Sequence, residues 1–256
     1  MFLRYLIFAY GLGSYVVFFA TFLYAVGFVG NLFVPRSIDG PSDGALLASL
    51  LIDLALLALF AVQHSVMARP AFKRWLTRRV AEPAERSTYV LASSVALIVL
   101  FAFWRPLGGV VWQVEGPAAV LLHVLCAFGW ALVLVSTFLI NHFDLFGLRQ
   151  VWLQLRGRPY THLRFGTPGP YKLIRHPLYL GWFFAFWATP VMTATHLLFA
   201  VMTTAYILIA IQLEEHDLVN AHPEYAEYQK RVPMLIPGTK PGAATTPGTS
   251  AAPARV

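Results

Sequence analysis

Two stretches of this 256-residue sequence carry side chains suited to holding a charged small molecule, and they are well separated along the chain. The first is GTPGPYKLIRHPLYLGW, residues 166–182, where a Gly/Pro-rich segment leads through Arg175-His176-Pro177 into an apolar run. Proline suits the first turn of a helix, where its missing N–H is not needed, so His176 is expected at the cap. Free amides and the positive dipole end at such a helix start favour a carboxylate. Gly181, lacking a Cβ, admits a close approach to the helix backbone. Leu178, Tyr179 and Trp182 would form an apolar wall beside it, although a membrane-interface cap with an aromatic belt has the same composition.

The second stretch begins at Glu214-Glu215, read as the end of the last apolar helix, where paired negative charges oppose the helix dipole. They call for a cation: either basic loop residues or a bound cationic ligand. HPEYAEYQKRVP, residues 222–233, follows, with Tyr225, Tyr228 and Arg231 at intervals of three on one helical face. A reentrant helix folding beneath the preceding pair of apolar segments would bring that face to His176 and the glutamates. An amphipathic helix lying on a membrane surface would show the same spacing.

The elements that must position these residues are membrane spans. Hydrophobic residues make up 58% of the chain and charged ones only 12%, about half the charged fraction of a soluble domain, and several apolar runs reach the ~20 residues that cross a bilayer. Spans are expected near 5–29, 45–67, 88–104 and 117–140, followed by closely spaced segments near 177–190 and 195–213. They should all be helical, because an open sheet edge stays unsatisfied in lipid. The first is read as a retained span, since it has no short core followed by a small-residue cleavage site.

The basic residues border these runs. Arg69, Lys73, Arg74, Arg78, Arg79 and Arg86 fill one connection, and Arg149, Arg156, Arg158, Arg164, Lys172 and Arg175 another. Both are expected to be cytoplasmic, as are both termini, leaving only Arg36 and Arg105 of the 19 basic residues outside. The net charge of +7 therefore reports topology, and no nucleic-acid partner is expected. The expected fold is an all-α, polytopic transmembrane bundle of five spans, plus or including a C-terminal helical hairpin, with a cytoplasmic cofactor pocket. It divides into N-terminal helices and a substrate side over 1–116, a core over 117–238, and a disordered Pro/Gly/Ala/Ser/Thr tail over 239–256.

The single cysteine, Cys126, excludes an intramolecular disulfide, and no histidine pair has metal-ligand spacing, so no metal is expected. Asp53 and His123 fall within spans and are read as polar groups packed between helices.

RHPLYLG, then a hydrophobic hairpin, then EEHDL, then HPEYAEYQKRVPMLIP, over about residues 120–238, resembles the membrane methyltransferase superfamily of isoprenylcysteine carboxyl methyltransferases and phospholipid N-methyltransferases. The resemblance implies S-adenosylmethionine as cofactor, held by Leu173, His176, Tyr179, Leu180, Gly181, Glu214 and Glu215, with Tyr228 and Arg231 as further contacts. QHSVMARPAFKRW at 63–75, ERSTYVL at 85–91 and NHFDLFGLRQVW at 141–152 resemble the bacterial methanethiol S-methyltransferases of that superfamily. NnrU-like membrane proteins share part of the first of these motifs and are expected to lack the full carboxy-terminal pattern.

The resemblance implies methylation of methanethiol to dimethyl sulfide in the bacterial inner membrane, with the lipid delivering the thiol. A thiolate attacks far better than a thiol, so a proton acceptor should stand near the sulfur. His64, His142 and Asp144 are the candidates, with Gln63 and Asn141 binding substrate. The topology lets all five meet around one cavity, although a structural hydrogen-bond network between two helices has the same composition. Competing expectations are a methyltransferase acting on a prenylcysteine carboxylate, a lipid amine or a larger thiol, and a nonenzymatic accessory protein.

Overall fold

Five helical stretches are long and apolar enough to cross a membrane in this computed structural model, which describes residues 1–42 and 44–239. They are α1 (Phe2–Gly30), α2 (Leu46–Ala68), α4 (Glu85–Phe103, preceded by a 3-10 turn at Glu82–Ala84), α5 (Gly116–Ile140) and α9 (Ala194–Ala221). The shorter α3 (Pro70–Leu76), α6 (His142–Leu145), α7 (Leu148–Leu155), α8 (Pro177–Trp187) and α10 (Pro223–Arg231) complete a polytopic helical membrane bundle. Lys240, Arg255 and all but Thr239 of the tail expected over 239–256 lie outside the described residues.

The connections sort onto two ends. At one end are the basic segments 69–84 and 147–176, the N-terminus and α10, with Arg69 paired to Asp217 at 3.1 Å. At the other, strands Val110–Gln113 (β1) and Val191–Thr193 (β2) pair antiparallel, Val110 opposite Thr193 and Gln113 opposite Val191. The expected all-α bundle holds for the spans, and this short ribbon between two connections was not announced by the sequence. Asp39 ties the strand end together, accepting from Asn31 Nδ2 at 2.8 Å and from the Thr193 hydroxyl. Arg36 and Arg105 both fall at this end, as expected: Arg36 Nη1 donates to Ala102 O at 3.0 Å, and Arg105 N–H to Asp53 Oδ1 at 2.9 Å.

Two expectations about polar groups in the spans have different outcomes. Asp53 is fully buried and receives the Arg105 amide just beyond α4, whereas His123 lies on the exposed face of α5 and is not packed between helices.

The segment after His176 crosses in two parts. α8 has eleven residues, about 16 Å at ~1.5 Å per residue, and extended chain through β2 covers the remaining depth to the strand end. α8 packs directly on α5 because two glycines face each other: a Cβ at Gly129 would stand 2.5 Å from Ala185 N, and one at Gly181 would stand 2.8 Å from Gly129 O. Small residues are how membrane helices approach so closely. Around this contact Phe28, Leu56, Trp104, Trp130, Phe186 and Phe199 form the main core.

α9 returns through all 28 of its residues, about eight further than the apolar run that announced it. At ~1.5 Å per residue it exceeds the ~30 Å hydrocarbon depth, so its last turns stand clear at the basic end. Glu214 and Glu215 are therefore interior to the helix rather than at its end. The dipole opposition expected there is absent, because it fades beyond the last turn.

Candidate active site

The helix start at His176 forms as its sequence requires. Pro177 occupies the first turn and His176 the cap, with no side chain capping the free amides. Two backbone bonds fix the entry: Arg175 N–H to Pro233 O at 2.9 Å and His176 N–H to Met234 O at 3.1 Å. The chain beyond α10 is thus clamped against the start of α8.

Glu215 is the hub of this junction and is almost wholly buried. It accepts from Arg175 Nε at 2.5 Å and Nη2 at 3.2 Å, His176 Nε2 at 2.9 Å, the Tyr225 hydroxyl at 3.2 Å and Gln229 Nε2 at 2.9 Å. Arg175 Nη1 in turn donates to Gln229 O and Val232 O. The cation that the paired glutamates call for is Arg175, from the basic loop, and it serves Glu215 alone. A buried ion pair of this kind fixes geometry more than it adds stability, because desolvation offsets most of the attraction.

α10 folds beneath the hairpin as expected, but its buried face is turned. Tyr225, Tyr228 and Gln229 are buried while Arg231 is exposed and donates to Glu227 O of its own helix at 3.3 Å. At ~3.6 residues per turn a spacing of three drifts off the face, and Gln229, four residues after Tyr225, holds it instead. The Tyr228 hydroxyl donates to Tyr171 O at 2.5 Å, and burial pushes it up to about 12.

Glu214 differs from its neighbour. It is exposed, accepts from the Tyr179 hydroxyl at 2.7 Å, and has no Arg or Lys paired to it among the described residues. Tyr206 lies about two turns before it on α9, and Tyr89 stands near the start of α4 at the same end of the bundle. Those two tyrosines reach the amino-terminal candidates. The Tyr89 hydroxyl is 2.8 Å from His64 Nε2, His64 Nδ1 is 3.2 Å from Ser93 Oγ, and the Tyr206 hydroxyl is 3.1 Å from Ser65 Oγ. The rings of Phe60, Tyr89 and Tyr206 surround the His64 imidazole. Gln63 Nε2 lies 3.4 Å from the same Ser93 Oγ, and its Oε1 is buried with no hydrogen-bond partner.

His142, Asn141 and Asp144 make their own separate contacts. No described hydrogen bond or ring contact links the two sets. His142 is buried between the Tyr15 hydroxyl and Thr137 Oγ1, each at 2.8 Å, and stacks on Phe138 at 4.2 Å. Burial pushes its pKa down. Asn141 caps α6, its side chain accepting from Asp144 N–H at 3.2 Å, with φ of 139° at the break after α5. Asp144 pairs with Arg149 at 2.8 Å and accepts from Tyr160, fastening the loop beyond α7.

Three further candidates fall elsewhere. Leu173 is 64% exposed. Leu180 lines an apolar groove of about 440 Å³ with Leu122, Leu125, Phe184 and Trp187 along α5 and α8. The close approach that Gly181 permits is that of α5. Sequence reasoning placed Arg175 in the basic loop without assigning it to Glu215, and did not single out Tyr89, Tyr206 or Gln229. Tyr206 was accessible through its helical spacing from Glu214, whereas Tyr89 required the packing of α4 against α2.

Comparison with known proteins agrees with this arrangement of motifs. The chain matches the family described as NnrU protein over residues 52–227. That match takes in RHPLYLG and EEHDL and ends within HPEYAEYQKRVP, so a chain of the NnrU family carries the first two of the carboxy-terminal motifs. The chain is 56% identical over 230 residues to methanethiol S-methyltransferase of Crocosphaera subtropica, covering 89% of this chain and 90% of the relative. It is 53% identical to methanethiol S-methyltransferase of Mycobacterium tuberculosis over 91% and 97% respectively. Nurim of Rattus norvegicus is 33% identical over 69% of this chain and 70% of its own. No solved structure matches. The chain belongs to the NnrU protein family, together with the bacterial methanethiol S-methyltransferases to which it is similar along about nine-tenths of its length.

Proposed function

We propose that this membrane enzyme methylates methanethiol to dimethyl sulfide with S-adenosylmethionine as donor. The observation that carries the reading is the hydrogen bond from the Tyr179 hydroxyl to Glu214 at 2.7 Å, which joins the two stretches read as donor-binding at the same end of the bundle as His64. The residues fit the donor chemically. Glu214 is a carboxylate with no Arg or Lys paired to it among the described residues, suited to a sulfonium or an amino group, and the uncapped amides at the start of α8 suit a carboxylate. S-adenosylmethionine supplies a methyl group on a positively charged sulfur, open to in-line displacement by a thiolate.

His64 takes the thiol proton at a ring nitrogen, and the Tyr89 hydroxyl holds the ring in place. Gln63 Oε1, an acceptor left unpaired, orients the S–H. Phe60, Tyr89 and Tyr206 exclude water from the reacting sulfur. Arg175, His176 and Glu215 set the position of Tyr179 without touching the ligand. The basic end faces the cytoplasm by the distribution of its arginines and lysines, which gives the charged donor aqueous access while the apolar thiol arrives through lipid.

The test is a substrate panel with purified protein in lipid: methanethiol, longer thiols, a prenylcysteine and an amine lipid, each assayed for methylated product. Dimethyl sulfide as the dominant product is the expected result. Methylation confined to the prenylcysteine or the amine lipid would reject the assignment.

A further inference from the structure

α7 runs alongside the start of α1 in a register that packing fixes at three levels. A Cβ at Gly11 would stand 2.6 Å from Val151 Cγ2, the Phe8 ring lies 5.9 Å from that of Trp152, and a Cβ at Gly157 would stand 2.8 Å from Arg4 Nη1. The last level gathers charge: Arg4 reaches the backbone between Arg156 and Arg158, and the Arg156 guanidinium lies 5.6 Å from the centre of the Trp152 ring. Gly157, with φ of 67°, serves both the turn and the room that Arg4 needs. All three arginines are exposed, and none pairs with a carboxylate among the described residues, although Glu82 stands in a 3-10 turn that packs on both helices.

The neighbours of these arginines set their depth. Phe2, Leu3 and Leu6 of α1 are apolar and exposed, so they face lipid, and the half-exposed Trp152 has the amphipathic ring that settles at headgroup level. The arginines therefore stand at the height of the bilayer phosphates. Guanidinium forks match phosphate oxygens in shape as well as charge, and like charges gathered in one place repel until an anion lies between them. We infer that Arg4, Arg156 and Arg158, with Trp152 beneath them, bind the phosphate of an anionic phospholipid. The apolar side chains beside the arginines give acyl chains a surface to lie on, which favours a lipid over a soluble phosphate. The site lies on α1 and α7, apart from the residues to which methyl transfer is assigned, and does not depend on that assignment.

The test places the full-length protein in phosphatidylcholine vesicles and titrates in phosphatidylglycerol with brominated chains, which quench tryptophan on contact. The signal of Trp152 is the difference between wild type and Trp152→Phe. Brominated phosphatidylglycerol should quench it at a lower fraction of the lipid than brominated phosphatidylcholine does. In Arg4→Gln and in Arg158→Gln the fraction giving half-maximal quenching should rise about five-fold, the usual effect of one basic residue near an anionic surface. Arg74→Gln, on α3, removes one charge from the same basic end and should shift the titration by less than about two-fold, because water and salt screen a charge outside the site. Arg158 lies in an exposed connection, so its variant carries the test where Arg4→Gln does not fold. Equal quenching by the two lipids in wild type, an equal shift from Arg74→Gln, or no shift from Arg158→Gln would overturn the site. Loss of the quenching in excess soluble glycerol phosphate would also overturn it, by identifying a soluble anion as the occupant.

Discussion

Adjacent glutamates in this chain do different work, and the difference lies in their hydrogen bonds. Glu215 spends its oxygens on Arg175, His176, Tyr225 and Gln229, while Glu214 has one tyrosine. Replacing Glu215 with alanine strands a buried guanidinium, which typically costs about 3–5 kcal/mol. The expected outcome for Glu215→Ala is a large fall in the thermal unfolding midpoint in detergent, whereas Glu214→Ala should unfold within a degree or two of wild type, as exposed substitutions usually do. His142 carries a separate expectation. Its folded-state pKa lies below the ordinary histidine value because burial disfavours the imidazolium, so the unfolded chain binds that proton more readily. Stability tied to His142 is then complete above the ordinary value of ~6.5 and is lost as pH falls from there toward the lower folded-state value. A midpoint that declines between about pH 7 and 5 in wild type, and less so in His142→Asn, is the outcome that melting scans should record.

At the scale of elements, the glycine pair sets how α8 meets α5, and through it where His176 and Tyr179 stand. Gly129→Ala places a methyl group about where Ala185 N and Gly181 O already are, so α8 must move outward. Overpacking commonly costs ~1–3 kcal/mol, and because α8 carries Tyr179, donor affinity should fall along with stability. A Gly129→Ala protein with unchanged melting and binding would show that the two helices are not locked together. The helices themselves were legible: long apolar runs gave the five spans, Pro177 marked the start of α8, and the tyrosine spacing over 222–233 announced α10. What was not legible came from contacts between distant segments. The full length of α9 depends on α10 packing against its polar final turns, where Val219 is buried with Tyr225 and Tyr228. β1 and β2 exist only because each finds the other. His142 and His64 look alike in sequence, and only packing separates the one enclosed by Tyr15, Thr137 and Phe138 from the one facing Tyr89 and Tyr206.

For the molecule as a whole, charge and chemistry share an end. The arginine-rich segments, the Glu215 hub and the proposed donor site all lie at the end opposite the β1–β2 ribbon. If the basic end is cytoplasmic, a cysteine introduced at Arg158 should resist a membrane-impermeant thiol reagent in intact cells, while one introduced at Arg36 should react, each in a Cys126→Ala background. The reverse labelling would invert the topology and put the donor site on the wrong side.

The central claim is that His64 and Glu214 serve the two halves of a single transfer. The direct measurement follows labelled methyl groups from S-adenosylmethionine into dimethyl sulfide, with donor binding measured on the same preparations of wild type, His64→Ala and Glu214→Ala. The account predicts that His64→Ala binds the donor like wild type but turns over at least ~100-fold more slowly, the usual contribution of a positioned base, and that Glu214→Ala loses donor binding with its fold intact. Full turnover in His64→Ala, or unaltered donor affinity in Glu214→Ala, would contradict it.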